Sequence, residues 1–329
     1  MQHFAYSRVA TLADAINAMQ QPDAMVIAGG TELLNWMKEG IAAPARLIDV
    51  NGIADLAQVT ADDRGLRIGA LARLSDVAEH PVVRTAYPAI AQALLASASP
   101  QIRNMATIGG NLMQRTRCPY FRAEVEVPCN KRRPGSGCAA MSGNDRTAAV
   151  LGATAQCIAT HPSDLAVALA ALDATVHVTG ASGPRSIPLV SFYRQPDGTT
   201  ERETRLDAGE LITAIEVPAS AVARQSRYLK LRERASYEFA LVSVAVGLDV
   251  EEGRIRAASI ALGGVAPKPW RLCATEDALQ RVTLSDEAAV RKTLTADFAD
   301  ATPGRHNGFK VELAKRAVVR ALQMAGEGA

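Results

Sequence analysis

An α+β chain of three successive units is what the sequence predicts, and three observations carry it. Residues 1–55 alternate short apolar runs with amphipathic helical stretches, the mark of a compact α/β piece. Residues 56–219 repeat strand and helix patterns but are interrupted at 113–160 by a polar, irregular passage. Residues 220–329 open with long strand-like runs and finish in helical ones. The length of 329 residues agrees, because single cores stop growing beyond roughly 250–300 residues.

In the first unit, HFAYSRVATLADAINAM reads as a short strand, a Thr11 cap and a helix with Leu12, Ala15, Ile16 and Met19 on one face. AMVIAGGTELLNWMKEG follows as a buried strand (Met25 to Ala28), a Gly-Gly turn and a helix starting near Thr31. RLIDVNG adds a further strand and an Asn-Gly turn. A glycine turn between a strand and a helix is an anion site in waiting: the N–H groups of Gly29, Gly30 and Thr31 point outward and the helix dipole favours negative charge. AGGT is not the dinucleotide fingerprint GxGxxG, and taken alone such a turn has a purely geometric explanation.

The second unit begins near Leu56. GLRIGALARLSDVAEHPVV reads as a strand and then a helix capped by Ser75, and YPAIAQALLASAS as an apolar helix. QIRNMATIGGNL is a strand-like run into a second Gly-Gly turn, Gly109 and Gly110, with Thr107 before it and Asn111 after it. Two such turns, each beside a threonine, fit a ligand with two phosphates held between subdomains. Further on, HPSDLAVALAAL is a helix capped by Ser163 or Asp164. Asp164 is either that cap or an acceptor for ligand hydroxyls. ATVHVTGASGPRSIPLVSFY reads as two strands around a turn, and GELITAIEVP as a strand ended by proline.

The irregular passage holds four of the five cysteines, Cys118, Cys129, Cys138 and Cys157, with ten, eight and eighteen residues between them. No CxxC pair is present, so neither a zinc ribbon nor a bacterial ferredoxin run is written here. A loop of almost fifty residues needs a reason to be ordered, and four thiolates on a metal centre supply one. Arg115, Arg117, Lys131, Arg132 and Arg133 surround the thiols and would offset their negative charge. An iron–sulfur cluster, a structural zinc and unligated thiols all fit the spacing. Cys273 stands apart and reads as a small buried hydrophobe.

In the third unit, a Glu-Gly hairpin at Glu252 and Gly253 joins two long strands, and the rest is helical. Lys230 sits in a strand-like segment and reads as a surface lysine. The net charge of +2 gives no reason to expect nucleic acid or a membrane surface as partner, and no apolar run approaches the roughly 20 residues that span a bilayer. The first nineteen residues lack the basic start and apolar core of a signal peptide. No acid–base or nucleophile set for catalysis in this chain is evident.

AGGTELLNWMK, IRNMATIGGNL, HPSDLAVAL and YLKLRERASYEFALVSVAV, in this order, resemble the FAD-binding medium subunit of the molybdenum hydroxylases, the xanthine dehydrogenase and carbon monoxide dehydrogenase family. The likeness runs along nearly the whole chain. TRCPYF, PCNKR and PGSGCAA within the insertion resemble the branch whose flavin subunit also carries a [4Fe–4S] cluster, that of the bacterial periplasmic aldehyde oxidoreductases.

The resemblance implies an FAD-binding domain of two α/β subdomains (1–55 and 56–219, with the iron–sulfur loop at 113–160) and a C-terminal α+β domain (220–329) with a three-stranded antiparallel sheet and a helical bundle. It implies that Ile27, Ala28, Gly29, Gly30, Thr31, Glu32 and Leu33 wrap the FAD pyrophosphate together with Thr107, Ile108, Gly109, Gly110 and Asn111. Asp164 would hold flavin hydroxyls, Ile212 would lie against the cofactor, and Lys230 would reach it from the third unit. Cys118, Cys129, Cys138 and Cys157 would ligate the cluster. With only 4% aromatic residues, no side chain stacking on the isoalloxazine ring can be named, and nothing resembles a nicotinamide site.

The function so implied is electron transfer within a molybdenum-dependent aldehyde dehydrogenase. Electrons would come from the molybdenum centre of a large subunit through [2Fe–2S] clusters of a small one, and leave through FAD to an external acceptor. The heterotrimer would reach the periplasm on a partner's signal; without such a partner the chain is cytoplasmic. Two rivals are a self-contained flavin oxidoreductase with zinc or thiols in the loop, and a noncatalytic assembly module in which the glycine turns bind nothing.

Overall fold

The computed structural model describes residues 2–198 and 200–327. Its first unit is a three-stranded parallel sheet in the order β1 (Ala5–Arg8), β3 (Arg46–Asp49), β2 (Ala24–Ile27). Parallel neighbours need crossovers, and helices Leu12–Ala18 and Leu33–Lys38 supply them. Thr11 caps the first helix as expected, accepting from the Asp14 N–H at 3.1 Å. The β2 strand begins one residue earlier than its apolar run and is only half-buried throughout, since one side lines a cleft. The second helix starts at Leu33, two residues later than expected.

The second unit centres on a five-stranded antiparallel sheet, in the order β4 (Val59–Ala61), β5 (Gly65–Gly69), β8 (Leu211–Pro218), β6 (Thr175–Gly180), β7 (Gly183–Pro188). Helices Pro88–Ala96 and Asp164–Ala171 pack over it. Every residue of the latter helix is buried, so it has no polar face at all. Ser75 does not cap its helix: Arg73 holds the cap position, without a side-chain bond, and Ser75 lies in the first turn. The stretch around Gly109 is not a strand and turn either. Thr107 caps a short helix, Ile108–Leu112, and both glycines lie in its first turn.

In the third unit β9 (Ser226–Leu231), β10 (Val242–Glu251) and β11 (Arg254–Gly263) make the three long antiparallel strands expected, and a two-residue edge strand β12 (Trp270–Arg271) adds a fourth. Glu252 and Gly253, at φ of 51° and 75°, form the hairpin turn, the left-handed pair that matches the twist of flanking strands. Helices Cys273–Ala278, Glu287–Thr293 and Phe309–Gly326 complete the unit, the last packing along β10. Cys273 is exposed, contrary to expectation, because Leu272 beside it takes the buried position at the helix start. No described helix is long and apolar enough to cross a membrane.

Residues 113–163 contain no strand and only one short 3-10 turn, Ala139–Met141. Their far end is nevertheless well anchored. Val150 and Leu151 enter the core of the third unit and both donate to the Val265 carbonyl, at 2.8 and 3.0 Å. Buried Lys310 donates to the carbonyls of Thr147, Ala148 and Gly264 at 2.7–2.9 Å. Burial pushes its pKa down to about 7, while three oxygens meeting three N–H donors favour the ammonium.

Candidate cofactor cleft and cysteine site

A cleft of about 820 Å³ lies where the three units meet, within the size range of cofactor sites. The first unit lends it the loop after β2. Ile27, Ala28, Gly29, Gly30, Thr31, Glu32 and Leu33 all line it. Gly30 has φ +70°, a left-handed backbone that favours glycine. Gly29 has a different reason: a Cβ there would stand 2.0 Å from the Met105 carbonyl oxygen. The loop is braced from behind by Asn51, which donates to the Ala28 carbonyl at 2.9 Å and accepts from Arg73 at 3.0 Å.

The opposite wall comes from the short helix at 108–112. Thr107, Gly109, Gly110 and Asn111 line the cleft. Ile108 does not, since its side chain is fully buried in the main core. Gly110 is exposed, and apart from Thr107 Oγ1 at 2.9 Å a Cβ there would meet nothing. Ile212 of β8 lines the same cleft.

Asp164 and Lys230 close its floor. Ser163, not Asp164, caps the helix, accepting from the Ala166 N–H at 3.0 Å. Asp164 is its first residue, and its carboxylate accepts from Lys230 Nζ at 2.8 Å, Ser97 Oγ at 3.0 Å and Tyr228 Oη at 2.5 Å. Three of its roughly four acceptor sites are thus taken. Lys230 is no surface lysine: its side chain is 4% exposed. Its ammonium also donates to the Ala96 carbonyl at 3.1 Å, which leaves one N–H for the cleft. Burial beside Asp164 drives the Tyr228 hydroxyl well above its ordinary pKa, so it stays a donor.

Two aromatic residues escaped the sequence reading. Tyr237 and Phe239, on the loop between β9 and β10, line the cleft and are 56% and 46% exposed. Tyr237 is held at φ +54°, a costly backbone for a bulky residue. The signal was there in SYEFA, a pair of aromatics in a chain with few, placed between two strands.

Glu32 lines the cleft, but its carboxylate is engaged by protein side chains. It accepts from Trp36 Nε1 at 2.8 Å and forms ion pairs with Arg117 at 2.6 Å and Arg122 at 2.7 Å, both from the cysteine passage. Arg122 also reaches Glu39 at 2.9 Å. A second buried network ties the passage to the 194–205 loop: Glu203 pairs with Arg115 at 2.6 Å and with Lys131 at 3.3 Å. Burial works to raise the Glu203 pKa, but Lys131 and Arg115 outweigh it and hold the carboxyl below its usual range. Beside them His161 is buried against Tyr193, 4.3 Å between ring centroids, with its Nε2 unpartnered. Burial lowers its pKa to about 4, so it is neutral.

Cys129 and Cys157 are buried, Cys118 and Cys138 half-buried. Cys129 and Cys138 lie opposite each other in an isolated antiparallel bridge. Asn130 gathers the rest, donating to Gln156 at 2.8 Å and accepting from Gly137 and Thr200 at 2.9 and 2.7 Å. Burial raises the thiols of Cys118 and Cys157, the latter to about 11, and Cys138 adds repulsion to both. Among the described residues no three histidine, cysteine or acidic side chains close around a single ion. The four cysteines are soft donors carried on one loop, and Lys131 is a cation beside Cys157. The cleft fits FAD on its own terms, with glycine backbone on two walls and a lysine N–H at the floor.

Residues 2–220 match the family of the FAD binding domain in molybdopterin dehydrogenase, and residues 227–325 the CO dehydrogenase flavoprotein C-terminal domain. The chain is 50% identical over 329 residues to the aldehyde oxidoreductase FAD-binding subunit PaoB of Escherichia coli, covering 99% of each chain. It is 28% identical to the glyceraldehyde dehydrogenase medium chain of Sulfolobus acidocaldarius, over 98% of this chain and 96% of that one. Among solved structures, reconstituted CO dehydrogenase from Oligotropha carboxidovorans superposes with a TM-score of 0.77 at 25% identity, over 100% of this chain and 99% of that one.

Proposed function

The chain belongs to the family of FAD-binding subunits of the molybdopterin dehydrogenases, and on that premise we propose that it is the FAD- and [4Fe–4S]-binding electron-transfer subunit of a molybdenum-dependent aldehyde dehydrogenase. The observation that carries this is the meeting of two glycine-bearing walls and the Asp164–Lys230 floor around one cleft. Bound FAD supplies the exchange between one-electron and two-electron carriers, and the protein supplies binding, orientation and tuning.

In this reading the backbone N–H groups of Gly30 and Thr31 face the pyrophosphate, Gly110 lets it approach the opposite wall closely, and the free N–H of Lys230 with the last acceptor site of Asp164 face flavin hydroxyls. Tyr237 and Phe239 offer the ring contacts. Cys118, Cys129, Cys138 and Cys157 hold the cluster, with Lys131 and Arg117 as nearby cations. Ile212 lies against the cofactor. The partners are a large molybdenum-cofactor subunit and a small [2Fe–2S] subunit, and an external acceptor takes the electrons. The identity to an aldehyde oxidoreductase subunit supports an aldehyde as the oxidised substrate. The same reading has the folded chain leaving for the periplasm on a signal-bearing partner, with cytoplasmic residence the alternative.

The test is turnover with and without partners. The purified chain alone should bind flavin and oxidise no aldehyde; co-expression with both partners should yield a complex that does. Aldehyde oxidation by the chain alone would replace this reading with a self-contained flavin oxidoreductase.

A further inference from the structure

We infer that Arg117 is a positioning residue that couples the state of the cysteine site to the flavin cleft. The inference rests on the reading of those two sites given above. Arg117 directly precedes Cys118, so their Cα atoms are about 3.8 Å apart and any change in how the Cys118 sulfur is held moves the arginine backbone. Its guanidinium then reaches both glycine-bearing walls. It pairs with Glu32, next to Thr31, at 2.6 Å, and donates to Gln114 Oε1 at 3.1 Å. Gln114 in turn donates to the Asn111 carbonyl at 3.1 Å. The same guanidinium stacks 4.9 Å over Phe239 of the loop above the cleft.

Arg117 also lines a separate cavity of about 250 Å³ that Cys118, Asp164 and Phe239 share, between cysteine loop and cleft. One side chain thus touches each of the three elements that shape the cleft and is bonded through the backbone to a cysteine. Charge-assisted forks of this kind are strong and geometrically exacting, so a shift at Cys118 is passed on rather than absorbed. Linkage makes the effect reciprocal: an ordered cysteine site tightens FAD, and bound FAD stabilises the cysteine site.

Arg122 still holds Glu32 when Arg117 is shortened, so Arg117→Met removes the link without freeing the carboxylate. The experiment uses the complex with its partners. Iron and FAD are counted, iron is stripped anaerobically with ferricyanide and EDTA until only the small partner's share is left, and the FAD dissociation constant is measured before and after by flavin fluorescence.

For the wild type we expect stripping to weaken FAD on the order of 10-fold. For Arg117→Met, FAD should already be weaker and stripping should add less than about 2-fold. Arg117→Lys, which keeps the charge but not the fork, should fall between. Iron present but FAD affinity unchanged on stripping overturns the coupling. Equal losses in wild type and Arg117→Met overturn Arg117 as its carrier. Absence of iron beyond the small partner's share overturns the cluster reading instead, and the count alone tells these failures apart.

Discussion

Lys230 Nζ lies 2.8 Å from Asp164 Oδ2, joining the third unit's first strand to the second unit's central helix, and both side chains are at least 94% buried. Breaking such a pair from one side leaves an uncompensated charge and costs about 3–5 kcal/mol. Lys230→Met should therefore lower both the unfolding midpoint and the FAD affinity. Asp164→Asn, which can still accept from Lys230 and Ser97, should cost less. Thermal unfolding with flavin titration checks both, and equal effects would mean the pair is structural only.

The two glycine walls make opposite predictions. Gly29→Ala sets a Cβ against the Met105 carbonyl and should destabilise the fold by about 2 kcal/mol whether or not flavin is present. Gly110→Ala meets only Thr107 Oγ1 and should shift the flavin-free midpoint by no more than a few degrees while weakening FAD binding. If Gly110→Ala binds FAD normally, that wall does not face the cofactor.

How much of this was legible in the sequence divides along physical lines. Local signals survived: Thr11 caps its helix, Glu252 and Gly253 turn the hairpin, and AGGT follows a strand, because each is decided within a few residues. Tertiary contacts decided the rest. Lys230 looked exposed since nothing local announces a carboxylate 66 residues away. TIGGN looked like a strand and turn, but the Thr107 cap overrides the glycines' poor helix propensity. Glu32 stood among the expected pyrophosphate residues, and its partners Arg117 and Arg122 lie over eighty residues on.

His161 predicts a pH signature. Its pKa is about 4 when folded against about 6.5 when unfolded, so below pH 6.5 the unfolded chain takes up a proton that the folded one refuses. Its contribution is intact above pH 6.5 and is lost as pH falls toward 4, by about 3 kcal/mol in total. His161→Phe should flatten that part of the stability profile relative to the wild type.

Lys310 anchors the far end of the cysteine passage through three carbonyls. Lys310→Met would leave the Gly264 carbonyl without a donor and Thr147 and Ala148 with only the longer bonds from Thr160 Oγ1 and Asn307 Nδ2, at 3.4 and 3.3 Å, at a cost of about 2 kcal/mol. Hydrogen exchange should show the loss first at residues 147–151 and 264–266, ahead of the parallel sheet of the first unit.

The proposed function puts FAD in one cleft and a [4Fe–4S] cluster in one loop. The first measurement is the absorption spectrum of the complex purified without air, with flavin, iron and zinc counted on the same sample. One FAD per chain and about four irons beyond the small partner's share are expected. Flavin with zinc, or with no additional iron, would contradict the cluster, and a complex that holds no flavin would contradict the cleft.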